Sequence, residues 1–352
     1  MGTDEIWRRF KLGDLEQGME QFFPKDTISL RELFSMLVAG DPLGAFTKIL
    51  NKCLMGIPAW VESAKELFVW LMVLGLVAAL MSYFVQIYDC RQVADFGFFL
   101  CYLLFMTILL RTYYVSAEIV GEALESILLF IKLLIPTYVL AVGVSAGTAS
   151  AGVVSQLMLL VVLLIEKLFA ACLLPAVNCY LLLTVINAVW KEEAFSYLLE
   201  LLEKSILFVL KLCVWAITGL SFFQALITPL LGAARTSVLT RVINNVPIIG
   251  KVSGGVTELA LGSALLIKNS VGAILLLLML YLCAAPLVKI GAVAVTLKAA
   301  AALLQIVSDK RLGKSVDRTA DAGFLLLRIL AVAMLLFLIA LAVLTATIKP
   351  TI

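Results

Sequence analysis

Apolar residues run in blocks of membrane-spanning length from Leu67 to Ile348, separated by short polar links. A span needs about 20 mainly apolar residues. The windows Leu67–Ile87, Phe96–Tyr114, Ile127–Val144, Val153–Leu174, Ile206–Ile227, Val271–Val288 and Phe324–Ile348 have that character. Ala176–Trp190 and Leu287–Val307 are shorter or interrupted. The pattern predicts an all-α, polytopic integral membrane helix bundle with about 7–9 membrane helices.

The first 65 residues break this rule. Charges of both signs are mixed there with apolar positions at helical spacing, Ile6, Phe10, Leu15, Met19, Phe22 and Phe23. Ser29-Leu30-Arg31-Glu32 has the spacing of a capping box and predicts a helix start. Residues 1–65 are thus expected to form an amphipathic helical collar, residues 66–118 two leading membrane helices, and residues 119–228 and 229–352 two related membrane halves.

The two halves rest on matched punctuation. Cys172-Leu-Leu-Pro175 and Cys283-Ala-Ala-Pro286 each close an apolar run. Pro136 precedes Pro175 by 39 residues, and Pro247 precedes Pro286 by the same 39. Both leading prolines are followed by small-residue links, one holding Gly147 and the other Gly254 and Gly255. Internal repeats are a common way to build membrane transporters and channels. Proline removes a backbone donor and kinks or ends a helix, so Pro136, Pro175, Pro247 and Pro286 are candidate helix breaks. Gly147, Gly254 and Gly255 are candidates for close packing between backbones.

Charges within the apolar blocks form stripes. Glu118, Glu122, Glu125 and Lys132 share one helix face at 100° per residue; so do Glu193, Glu200, Lys204 and Lys211, and so do Asp317, Asp321 and Arg328. Such stripes face a bundle interior, a hydrated cavity or a partner more readily than lipid, although long basic chains also snorkel at helix ends. Glu166 and Lys167 sit in the middle of a span, and Lys211 is a candidate partner for Glu166. Lys289 and Lys298 fall on opposite faces of one helix.

Composition sharpens the picture. The chain has 352 residues, is 63% hydrophobic and 14% charged, and contains no histidine. Its mean hydropathy is +1.09. The missing histidine removes the commonest general base and metal ligand. No phosphate loop or HExxH motif occurs. The seven cysteines form no CxxC pair, and most lie in apolar runs as small buried hydrophobes. No enzymatic activity, cofactor, catalytic residue or metal site is expected. A net charge of +3 gives no reason to expect nucleic acid. Gly232–Gly255 and Ser308–Asp321 carry the basic links, which by the Lys/Arg rule prefer the cytoplasmic side.

One stretch carries a family pattern. It begins at Asn244-Asn245-Val246-Pro247-Ile248-Ile249-Gly250-Lys251 and continues through Ala264-Leu265-Leu266-Ile267-Lys268-Asn269-Ser270-Val271-Gly272. Ala284-Ala285-Pro286-Leu287-Val288-Lys289-Ile290 and Leu297-Lys298-Ala299-Ala300-Ala301 extend it, and Leu134-Ile135-Pro136 and Ser145-Ala146-Gly147 agree with it. In order and spacing this resembles the stage III sporulation protein AE family. The resemblance implies a membrane component of a secretion-like sporulation channel complex linking mother cell and forespore. It implies residence in the mother-cell (outer forespore) membrane of an endospore-forming bacterium. It also implies partners: other proteins of the same operon, including an ATPase and ring-forming membrane proteins, and a forespore protein across the intermembrane space. A homo-oligomer is compatible with it. The family usually begins with a signal peptide, here expected to have been removed. Two other readings stay open: a solute permease with a midplane site between the halves, and a non-conducting assembly platform.

Overall fold

The computed structural model describes residues 42–88, 91–145, 149–189, 195–243, 283–307 and 310–347, with Met36 and Leu280 as isolated positions. All regular structure among these residues is helical. In chain order the helices are α1 (Pro42–Tyr88), α2 (Arg91–Ser145), α3 (Ala149–Leu168), α4 (Leu174–Val189), α5 (Ser196–Ile243), α6 (Cys283–Val307) and α7 (Lys310–Thr347). A π-helical turn, Phe169–Leu173, joins α3 to α4. This is the helical membrane bundle that the apolar blocks predict.

Six stretches are long and apolar enough to cross a membrane among the described residues: Trp60–Met81, Phe99–Lys132, Gln156–Asn187, Ser196–Phe223, Cys283–Val307 and Leu312–Ala342. The windows outnumber them because neighbouring windows fuse. Phe96–Tyr114 and Ile127–Val144 both lie on α2, since the link between them (Val115–Ser126) is itself helix-forming and keeps the ladder intact. Val153–Leu174 and Ala176–Trp190 join through the π turn. Most of Val271–Val288 lies outside the described residues, as does nearly all of the collar before Pro42. The collar boundary at residue 65 falls inside α1, which runs through Pro58. That proline is exposed, so the carbonyl it leaves unbonded is not sealed in a core.

The helices meet in two packed zones. Leu71 and Ala78 of α1, Tyr102, Phe105 and Leu109 of α2, Leu297 and Leu304 of α6, and Leu312 and Val316 of α7 form one. The second joins Val120–Ile131 of α2, Met158–Ile165 of α3, Phe169 of the π turn, Ile206–Ile217 of α5, Cys283 of α6 and Leu325–Leu341 of α7. These pairings set the directions: α2, α5 and α7 run one way, and α1, α3–α4 and α6 run back. Helix α7 is central and packs against α2, α3, α4 and α5. Half of its span window is buried, and its mean hydropathy of 2.9 is the highest of the six.

Small residues allow the closest approaches. A Cβ at Gly75 would overlap the Leu304 side chain, and one at Gly323 would sit 3.4 Å from the Ala294 Cβ. Lipid gives helices no hydrophobic reason to associate, so such close contacts carry membrane packing.

Candidate functional site

Three buried serine and threonine hydroxyls of this bundle are satisfied locally. Ser116 donates to the Thr112 carbonyl at 2.8 Å, Thr184 to the Tyr180 carbonyl at 2.9 Å, and Thr319 to the Ser315 carbonyl at 2.8 Å. Between helices, the Tyr113 hydroxyl of α2 donates to Asn178 Oδ1 of α4 at 2.9 Å.

Glu166 departs from this economy. It is 0% exposed, and neither carboxyl oxygen has a hydrogen-bond partner among the described residues. The thiols of Cys213 on α5 and Cys283 on α6 lie close enough to interact with its charge. Lys211, the partner expected from sequence, points outward, and no ion pair joins it to Glu166. The helical phase explains this: Cys213 faces inward, and a residue two positions earlier is turned about 200° away. Among the described residues no three His, Cys, Asp or Glu side chains are arranged to hold a metal ion.

One turn beyond Glu166 the α-helix widens. The Leu174 N–H bonds to the Phe169 carbonyl, a π-type step. Pro175 follows directly. A proline there has no N–H for the Ala171 carbonyl, and its ring would press on that carbonyl in a regular helix. The wider turn relieves both problems, so Pro175 produces a π bulge rather than a helix end. Pro136 lies within α2, whose helix continues to Ser145; Pro286 is half-buried near the start of α6. Pro247, Gly147, Gly254 and Gly255 lie outside the described residues.

A charged network closes one end of the bundle. Lys298 of α6 reaches Asp317 at 2.6 Å and Asp321 at 2.7 Å, both on α7. Arg318 lies beside the Tyr180 hydroxyl of α4, attracted to it but short of hydrogen-bond geometry, and interacts with Glu203 of α5 and Asp321. Nearby, Lys204 pairs with Glu200 at 2.6 Å on the exposed face of α5. The Asn187 side-chain Oδ1 accepts from the Phe195 N–H at 3.0 Å and ties the approach to α5 back to α4. The shared helix face aligns Asp317 with Asp321 but does not reveal Lys298 as their partner. The signal was available: with one helix ending at Val307 and an antiparallel one beginning at Lys310, Lys298 falls opposite the stretch between the two aspartates. Lys289, on the other face, stands 5.9 Å over the ring of Trp60.

The remaining stripe faces outward. Glu118, Glu122, Glu125 and Lys132 are all exposed on α2, and Arg111, seven residues before Glu118, extends the line. Phe130 packs edge-on against Phe337 with ring centroids 5.5 Å apart, while Phe105 packs in the same zone as Val316. The stripe therefore runs alongside the most apolar span of the bundle, not beyond it. Lys167, Lys211 and Arg328 are also exposed. Lys211 is eight residues, about 12 Å, along α5 from Glu203. Arg318 of α7 interacts with Glu203, so Lys211 lies inside the apolar span of α5, near the level of Glu118, rather than at the charged end.

The two basic links expected together on the cytoplasmic side lie apart. Arg235 and Arg241 are on the far reach of α5, roughly 60 Å from its Ser196 end at 1.5 Å per residue. Lys310, Arg311, Lys314 and Arg318 sit beside that Ser196 end. A continuous helix longer than the bilayer is thick separates them, so charge alone does not orient the chain.

No solved structure matches the chain. Over 276 residues it is 21% identical to stage III sporulation protein AE of Bacillus subtilis (strain 168), covering 78% of this chain and 69% of that relative. Residues 28–347 match the stage III sporulation protein AE family. That match takes in every one of the six spans, and the chain belongs to the stage III sporulation protein AE family, a helical membrane protein of sporulation.

Proposed function

We propose that this chain is a non-enzymatic membrane subunit of a channel-type complex joining mother cell and forespore. It would reside in the mother-cell (outer forespore) membrane and work with the other membrane proteins and the ATPase of its operon. The observation that carries this reading is the set of ionisable side chains turned outward at the depth of the apolar spans. An ionised group held against lipid at the bilayer centre costs about 2.5–3.5 kcal/mol on insertion scales. Several such groups on one subunit fit a protein whose faces are covered by other protein or by water. The matched Cys-x-x-Pro prolines and the two hairpins that turn at the same charged end support related halves within that subunit.

Affinity isolation from sporulating cells tests the proposal. Tagged chain should co-purify with its operon partners, and deletion of the chain should arrest forespore development. Recovery of the chain free of those partners would overturn it.

Buried Glu166 favours one second reading, a permease with a midplane site. Under the subunit reading Glu166→Gln sporulates normally. Loss of sporulation by Glu166→Gln at normal abundance would favour the permease instead.

A further inference from the structure

The outward charges have opposite signs in different sectors of one depth. The α2 stripe is acidic at its centre, with Glu118, Glu122 and Glu125 exposed. Helix α5 presents Lys211 among exposed Phe208, Leu212 and Trp215. Lys167 of the neighbouring α3 is exposed at the same level, because Glu166 beside it interacts with Cys213, two residues past Lys211. Helix α3 packs against both α2 and α5 and stands between them. Among the described residues no ion pair joins the two sets, and α3 stands between the α2 acids and Lys211 of α5.

A hydrated lumen on the α2 side would solvate the acids but leave Lys211 against lipid. A two-fold contact through α2 fails for another reason. Copies in one membrane insert the same way, so a two-fold axis lies along the membrane normal and facing α2 helices run parallel. Glu118 would then meet Glu118 and Glu122 would meet Glu122, like charges in a poorly screened medium. A head-to-tail contact avoids both difficulties, since depth is conserved between copies and the complementary charges lie at one depth. Contacts of this heterologous kind close into rings when the rotation permits.

We propose that copies of this chain assemble head-to-tail, the acidic α2 stripe of one copy seated on the Lys211 and Lys167 faces of the next. This deepens the subunit reading by naming a second copy as the occupant of its outward face. It concerns self-contact alone, so it can fail while the sporulation complex stands.

Thiol cross-linking of the full-length chain in native membranes tests it. A chain carrying both Glu122→Cys and Lys211→Cys should give a ladder of oligomers with a short bifunctional thiol reagent. The two single variants should give none when expressed alone and dimers when co-expressed. In the chain with native cysteines, Glu122→Lys should lower oligomer recovery at least ten-fold, and adding Lys211→Glu to the same chain should restore it. Glu122→Gln, which removes charge without reversing it, controls for folding. Self-cross-linking of Glu122→Cys alone would overturn the proposal in favour of a two-fold contact. No ladder, with fast reaction of Glu122→Cys toward a membrane-impermeant thiol reagent, would overturn it in favour of a lumen. Capture of a different protein by Glu122→Cys would assign the stripe to that partner and overturn it. So would oligomers unchanged by both charge reversals.

Discussion

Lys298 illustrates how a single charge is decided by its surroundings. It bridges Asp317 and Asp321, which would otherwise stand one helical turn apart with like charge. The three side chains are only partly exposed, at 40%, 38% and 31%, so water screens the triad incompletely. Lys298→Met should cost about 1–2 kcal/mol, charge-assisted hydrogen bonds discounted for that exposure. Adding Asp321→Asn should recover part of the loss, read as the Tm of detergent-solubilised protein. Glu166 lies at the other extreme, fully buried and unbonded among the described residues. Glu166→Met fills the same space without a polar group, and should raise stability by about 1–3 kcal/mol, the desolvation cost of an unsatisfied buried group. A lower Tm in that variant would mean that the carboxyl has a partner in the folded membrane protein. The presence of Glu166 and Lys167 in an apolar run was plain in the sequence. Which of the two turns inward was not, because that depends on where α5, α6 and α7 lie.

Among the elements, proline and glycine act through their neighbours. Pro175 was legible as a disturbance of the helix, but its outcome as a π bulge required the α4 face to stay in register with α2 and α7. Tyr113 to Asn178 and buried Tyr180 hold that register. Gly313 lies at the start of α7, where a Cβ would come within 3.1 and 3.2 Å of the Gln305 backbone. Backbone cannot step aside as a side-chain tip can. Gly313→Val should therefore destabilise the α6–α7 hairpin by roughly 1–3 kcal/mol, the usual cost of forced overpacking. Earlier protease cleavage within residues 308–312 during thermal challenge would report it, and unchanged cleavage would count against the tight turn. The fusion of predicted spans belongs to this scale as well. Hydropathy windows separated Phe96–Tyr114 from Ile127–Val144 at their acidic link, yet a helix forms through Glu118, Glu122 and Glu125 as readily as through leucine.

For the whole molecule, the directions of the helices make a topological prediction. Cysteines placed at Arg91, Ser196 and Lys310 should all react with an impermeant thiol reagent from one side of the membrane. A cysteine at Ala149 should react only from the other. Labelling of Ser196 and Lys310 from opposite sides would overturn these helix directions. By itself the sequence determined that the chain is a helical membrane protein and marked its family. Those facts depend on local composition and on the order of residues, which need no partner to be expressed. It also determined which charges share a helix face, since 100° per residue is a property of the helix alone. The tertiary structure decided which face turns inward, that Lys298 rather than Lys211 finds carboxylates, and that Glu166 is left without a partner among the described residues. It also decided that acids and bases look outward at one depth. Those outcomes depend on how helices distant in sequence pack around α7, where most backbone groups are already bonded within their own helix and side-chain fit and charge choose the neighbours.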